Sequence, residues 1–189
     1  MLRTAEHDRR LFGKWMLASG IGYPLGLLVA FPLSYGLVNR VYPKESNLIL
    51  GLCIGLVVGL LQWRVLRRRA DISARWVGAS ALGMAIPFVL LVLLAELGFG
   101  PVRLFAHPML NDVVALAIPM AFGGLLTGLL QVPLLKPFGD RAPLWIAVST
   151  VAWGISIFGL WLGGVILGVV TGAALRRWFD LPRDGDSPT

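Results

Sequence analysis

The chain has 189 residues, of which 57% are hydrophobic and only 14% are charged, and its formal net charge is +7. So few charged residues cannot solvate the surface of a globule of this size, which excludes a soluble enzyme or binding module. The lone cysteine, Cys53, excludes an internal disulfide and a thiolate metal site. The composition predicts an integral membrane protein.

Apolar stretches of membrane-crossing length follow one another along the chain, and a bilayer core needs about 20 apolar residues per helix. The first four predicted helices cover about 14–38, 47–65, 76–97 and 112–135. The last apolar run, 142–175, has no charged residue, and as one helix it would be about 50 Å long against a bilayer core of about 30 Å. Because Gly159 permits a turn, we expect this run to divide near Phe158–Trp161, which gives six transmembrane helices.

The distribution of basic residues favours six spans. With six spans, the N-terminus, the loops 64–75 and 136–143 and the C-terminal tail share one side of the membrane. That side then carries all but three of the 17 Lys and Arg residues, the exceptions being Arg40, Lys44 and Arg103. Positive residues accumulate on the cytoplasmic side. We therefore expect both termini to be cytoplasmic in a bacterial inner membrane, and the basic charge to flank the membrane rather than to bind nucleic acid.

A segment of the first half of the chain recurs in the second half. The segment Gly55-Leu-Val-Val-Gly59-Leu-Leu-Gln62 corresponds to Gly124-Leu-Leu-Thr-Gly128-Leu-Leu-Gln131, an offset of 69 residues. Each glutamine is followed, after 14 residues, by a tryptophan that begins a Trp-x-x-x-Ser motif, and the first helix has the same motif at Trp15.

The last helix has the glycine pair of this segment but carries Leu175 at the glutamine position. We therefore predict an all-α fold with three tandem, parallel-oriented two-helix hairpins at about 14–66, 75–135 and 144–178. These hairpins form a single transmembrane domain, and residues 179–189 form a polar cytoplasmic tail.

Glycines at every fourth position predict close helix packing, because small residues let helix backbones approach each other in lipid. We expect these faces to pack within the monomer, and the alternative is oligomerisation through an exposed glycine zipper. The glycines are Gly51, Gly55, Gly59, Gly124, Gly128, Gly164, Gly168 and Gly172.

Five tryptophans lie at predicted cytoplasmic helix ends, where tryptophan commonly forms a belt at the membrane interface. We interpret them as such a belt in preference to a ligand cage. They are Trp15, Trp63, Trp76, Trp145 and Trp178.

Polar residues in or beside the spans give two candidate sites. Gln62 and Gln131 are expected to bond a neighbouring helix or to reach the interface, and the alternative is that they line a substrate path. On the outer side, Glu96 precedes the longest external connection, which contains Arg103 and His107, and Asp112 follows it. Because ionisable groups in membranes are commonly functional, they are candidates for a proton or ion relay, although an interfacial loop is favoured.

The sequence contains no His-Glu-x-x-His, Gly-x-Ser-x-Gly or phosphate-binding glycine-loop motif. We therefore expect no enzymatic activity, no cofactor and no metal. The Gly-Leu-Leu-Gln-Trp segment with its basic turn (Gly59–Arg69) and the Trp-x-x-x-Ser openings resemble small multi-span bacterial membrane proteins with repeated GxxxGLLQW-type hairpins. This resemblance implies a fold and a compartment and no activity.

Two functions are consistent with this sequence. The favoured one is an accessory or packing subunit of a bacterial membrane assembly. The alternative is a small-solute or ion transporter, or a channel, that uses the axis between the hairpins. The expected partners are the lipid bilayer and either further copies of the chain or other membrane subunits.

Reporter fusions test the predicted topology. Reporters fused after Pro43, Arg103 and Trp178 should indicate the outside, the outside and the cytoplasm, respectively. An external C-terminus would contradict six spans and would restore a single long final helix.

Overall fold

The computed structural model describes residues 2–34, 36, 46–98 and 107–178. This part of the chain contains helices and no strand. The six α-helices are α1 (Leu2–Leu33), α2 (Ser46–Leu66), α3 (Arg75–Glu96), α4 (Pro108–Leu135), α5 (Leu144–Ser156) and α6 (Gly163–Trp178). A short 3-10 segment, Lys136–Phe138, follows α4, and a longer one, Ile157–Leu162, joins α5 to α6.

Four segments are long and apolar enough to cross a membrane, three within α1, α2 and α3 and the fourth formed by α4 and the 3-10 turn after it. The segments are Arg9–Leu33, Leu48–Leu66, Arg75–Glu96 and Val113–Phe138. The apolar segment Leu144–Gly159, which includes α5, is shorter. Length and composition thus indicate a membrane protein with an all-helical fold.

The final apolar run divides into two helices, as the sequence predicts. Helix α5 ends at Ser156, and α6 begins at Gly163. The closest backbone approach in this connection involves Gly163 rather than Gly159, because a Cβ added at Gly163 would meet the carbonyl oxygen of Ser156. The absence of a side chain at residue 163 therefore lets the chain reverse tightly.

The six helices form a closed ring, because each helix packs against the next along the chain and α6 packs against α1. Ring neighbours are antiparallel. Along the α1–α2 contact, for example, Gly22 faces Val58 and Gly26 faces Ile54. The odd-numbered helices are consequently parallel to one another, and so are the even-numbered ones.

This arrangement brings the turns 67–74 and 139–143 to the same end of the ring as the first half of α1 and the end of α6. We call it the basic end because many arginines and lysines lie there: Lys14, Arg64, Arg67, Arg68, Arg75, Lys136, Arg141, Arg176 and Arg177.

The eight glycines that are predicted to pack helices together face neighbouring helices of the same chain. Those of α2 face α3, those of α4 face α5, and those of α6 face α1. A Cβ added at Gly128 would lie 2.8 Å from the Cα of Ile146, and one at Gly168 would lie 2.9 Å from the Cα of Met16. At these positions the glycines allow contact between helix backbones, and such close van der Waals packing is one of the interactions that associate helices in lipid.

Alanine substitution at these contacts should destabilise the ring. In Gly55→Ala the new Cβ would meet the carbonyl oxygen of Ser80 and lie 2.9 Å from Met84 Cβ, so α2 and α3 would have to separate. Gly78 of α3 is the matched control, because a Cβ there would meet nothing within 4 Å. We expect Gly78→Ala to be neutral or to stabilise the helix by about 0.5–1 kcal/mol. Gly55→Ala should lower the folded yield and melting temperature in detergent, and equal behaviour of the two variants would contradict the packing.

Candidate functional site

Three tryptophans meet at the axis of the ring near its basic end. Trp15 of α1, Trp76 of α3 and Trp145 of α5 are each at most 1% exposed. The ring centroids are 6.0 Å apart for Trp15 and Trp76, 6.4 Å for Trp15 and Trp145, and 6.0 Å for Trp76 and Trp145. These are the distances of favourable aromatic pairs. We refer to these three residues as the tryptophan triad.

The triad corrects the interpretation of these residues as an interfacial belt. Trp15, Trp76 and Trp145 are buried inside the protein, whereas Trp63 and Trp178 are only partly buried and pack against the cluster around the triad. The physical reason is the parallel orientation of α1, α3 and α5, which places equivalent positions at the same height along the axis. The signal in the sequence was the Trp-x-x-x-Ser motif in all three odd-numbered helices, which marks a repeated inward face.

Side chains on the next two turns of the odd-numbered helices are also buried. Residues four apart lie on the same face of a helix. Four residues after the triad come Ser19, Ser80 and Ser149, and four residues further come Tyr23, Met84 and Trp153, all at most 3% exposed. Eight residues of helix span about 12 Å. Side chains therefore fill the interior of the ring over at least this length.

Gln62 and Gln131 connect neighbouring helices. Gln62 Nε2 donates a hydrogen bond of 3.0 Å to Ser19 Oγ, and Gln131 Nε2 donates one of 3.0 Å to Ser80 Oγ. Trp145 Nε1 in turn donates to Gln131 Oε1 at 2.8 Å. Both glutamines are at most 5% exposed, so their amides lie in the protein interior.

The leucine at the glutamine position of α6 cannot accept a hydrogen bond from the tryptophan of the adjacent helix. Trp15 Nε1 instead donates to Thr171 Oγ1, one turn earlier on α6, at 2.8 Å. The Thr171 hydroxyl donates to Leu167 O at 2.6 Å. In the described part of the chain, the buried Trp76 Nε1 and Thr127 Oγ1 have no hydrogen-bond partner. The three tryptophans thus have three different polar environments within one apolar cluster.

The turn after α2 covers the triad at the basic end. Leu66, Leu135 and Leu175 pack against the tryptophans together with Ala70 and Ile72 of this turn. Trp63 Nε1 donates to Ile72 O at 2.9 Å, and Arg67 Cζ lies 4.6 Å from the centroid of the Trp63 ring. These contacts hold the turn against the ring, so the axis is closed at this end.

The structure gives a partial view of the candidate relay on the opposite side. Glu96 ends α3 and His107 immediately precedes α4, and both side chains are exposed. Arg103 and the side chain of Asp112 lie outside the described residues. The relay of these four residues therefore stays a prediction.

Among residues 2–34, 46–98 and 107–178, no group of three or more His, Cys, Asp or Glu residues is arranged to hold a metal ion. The candidate site consists of the tryptophan triad and the amide and hydroxyl groups beside it. No protein-family model matches the chain, and no curated protein or solved structure is significantly similar to it.

The hydrogen bond between Trp15 and Thr171 can be tested by loss and rescue. Thr171→Val removes the acceptor of a buried N–H and should cost about 0.6–2 kcal/mol of stability. Adding Leu175→Gln should restore most of the lost stability. Residue 175 is equivalent to Gln131, so a glutamine there could accept from Trp15 as Gln131 accepts from Trp145.

Thr150→Val is the matched control for this test, because the Thr150 hydroxyl donates to Ile146 O of its own helix, at 2.8 Å, and to no other helix in the described part of the chain. Thermal unfolding in detergent, followed by tryptophan fluorescence, measures all three variants. Equal losses for Thr171→Val and Thr150→Val, without rescue by glutamine, would contradict the assigned bond.

Proposed function

We propose that this chain is a six-span protein of a bacterial inner membrane, with both termini cytoplasmic. In this proposal it serves as a non-enzymatic accessory or packing subunit of a larger membrane assembly. The observation that carries the proposal is the filled axis, because buried side chains of the described residues occupy the centre of the ring over about 12 Å.

The proposed architecture is three parallel two-helix units, α1–α2, α3–α4 and α5–α6. Equivalent contacts support it. Gln62 bonds Ser19 within the first unit, and Gln131 bonds Ser80 within the second. A Cβ at Gly22 would approach Val58 Cα at 3.1 Å, and one at the equivalent Gly83 would approach Thr127 Cα at 2.7 Å. The tryptophan triad takes one side chain from each unit.

The ring supports the proposal of six spans, since α1 to α4 are long and apolar enough to cross a membrane. Helix α5 packs along α4 and α6 packs along α1, so both occupy the same layer as their neighbours. The 16 residues of α6 are about 24 Å long, which is shorter than a typical bilayer core of about 30 Å. A thinner local bilayer accommodates such a helix at modest cost.

The filled axis favours a subunit over a transporter. A transporter that used the axis would need polar, water-accessible groups along it, whereas here three indole rings lie in mutual contact. The outward faces carry exposed apolar side chains, suited to lipid or to a membrane partner. Each helix contributes at least one: Leu17, Leu56, Leu82, Ile118, Val151 and Val169.

The proposal is tested by comparing the protein in its native membrane with the isolated protein. Extracted gently with a tag, it should migrate as a complex larger than its 20.5 kDa monomer and retain the same membrane partner at fixed stoichiometry. Tagging that partner should recover this chain at the same ratio. The purified chain alone, in liposomes, should pass no ions or small solutes.

A monomer that keeps no partner and passes solute would contradict the subunit proposal. If Glu96→Gln and His107→Ala abolished that flux, transport through the outer relay would be favoured instead. The Gly78→Ala variant is the control for reconstitution, because it adds a side chain where a Cβ meets nothing within 4 Å.

A further inference from the structure

A groove of about 350 Å³ runs between α1 and α2 at the basic end of the ring. The groove residues of α1 are spaced by three, four and seven and those of α2 by three and four, which is the pattern of one helix face. Arg68 lies in the turn that directly follows α2. The lining residues are Lys14, Leu17, Ala18 and Ile21 on one side and Leu61, Arg64, Val65 and Arg68 on the other.

The groove has a polar end and an apolar end. Because α1 and α2 are antiparallel, Lys14 and Arg68 lie at the basic end, with Arg64 one turn further in. Ile21 and Leu61 lie deeper along the helices. The groove therefore changes from cationic to apolar along the helix axes, towards the middle of the proposed membrane.

The three cations of the groove are exposed and form no ion pair within the described part of the chain. Their neighbour Arg67 already has a partner, because its guanidinium lies over the Trp63 ring. Three exposed cations that pair with no acidic side chain among the described residues form a favourable environment for an anion, since basic clusters at the cytoplasmic membrane surface attract acidic lipid headgroups.

We propose that this groove binds an anionic phospholipid. The headgroup phosphate contacts Lys14, Arg64 and Arg68, and an acyl chain lies along Leu17, Ala18, Ile21 and Leu61. A free phosphate would contact only the cationic end of the groove. A phospholipid fits both ends, because its charged headgroup and its apolar acyl chain follow each other in the same order as the cationic and apolar residues of the groove. This inference rests on the proposed membrane placement but not on the subunit role, so its failure would leave the partner test unaffected.

Native mass spectrometry of the full chain in detergent tests the proposal. The protein is mixed with equal amounts of phosphatidylglycerol and phosphatidylcholine, and the ratio of bound lipids is measured. Wild-type protein should prefer phosphatidylglycerol. Arg64→Gln/Arg68→Gln should reduce this preference by about fivefold or more, since a cation near the membrane surface contributes about fivefold in affinity for an acidic lipid.

Arg75→Gln/Arg176→Gln is the matched control, because it also removes two exposed cations at the basic end but neither lines the groove. It should keep the wild-type preference. Ala18→Phe tests the apolar part, since it fills the groove without changing charge and should lower retention of phosphatidylglycerol.

Three results would overturn the proposal. The first is equal retention of the two lipids by wild-type protein, and the second is an equal loss in the control double variant, which would indicate a diffuse charge effect. The third is displacement of the lipid by excess inorganic phosphate, which would indicate a phosphate site without a lipid.

Discussion

The contact between Trp15, Trp76 and Trp145 is the interaction on which the rest of the structure depends. Three indole rings from helices far apart in sequence meet only if those helices are parallel and if the ring closes between α6 and α1. Closure in turn requires backbone contact, which the glycines of α2, α4 and α6 allow. In lipid, where hydrophobic burial does not drive helices together, such packing is a principal source of association.

The polar groups beside the triad add specificity. An apolar interface in lipid can slide with little penalty, whereas a buried N–H or amide must find its partner at one register. Gln131 joins α3, α4 and α5 through Ser80 and Trp145, and Thr171 joins α6 to α1 through Trp15. Trp76 Nε1, buried without a partner in the described chain, shows that this network is incomplete at one of three equivalent positions.

Much of the fold was predictable from the sequence, because the length of an apolar run predicts a helix that crosses the membrane and glycines at every fourth position predict which helix faces pack. The second helix, predicted at 47–65, is Ser46–Leu66. The final apolar run, too long for one helix, divides at Ile157–Leu162, which includes the predicted position. The position of Trp15 inside the ring was not predicted, because a tryptophan near a span end suits an interface and a core equally well. The use of Thr171 in place of a glutamine depends on which turn of α6 faces Trp15, and only the assembled ring determines that. The outer relay is untested, since Arg103 lies outside the described residues.

The central claim is that the axis is filled and dry, and cysteine accessibility tests it most directly. In a Cys53→Ser background, Ser19→Cys, Ser80→Cys and Ser149→Cys place thiols of nearly unchanged size on the turn above the triad. Charged methanethiosulfonate reagents applied from either side of the membrane should leave all three unlabelled, while Ser73→Cys, at an exposed position of the turn between α2 and α3, should react. Rapid labelling of the axial thiols would show a water-filled path through the ring and would contradict this account.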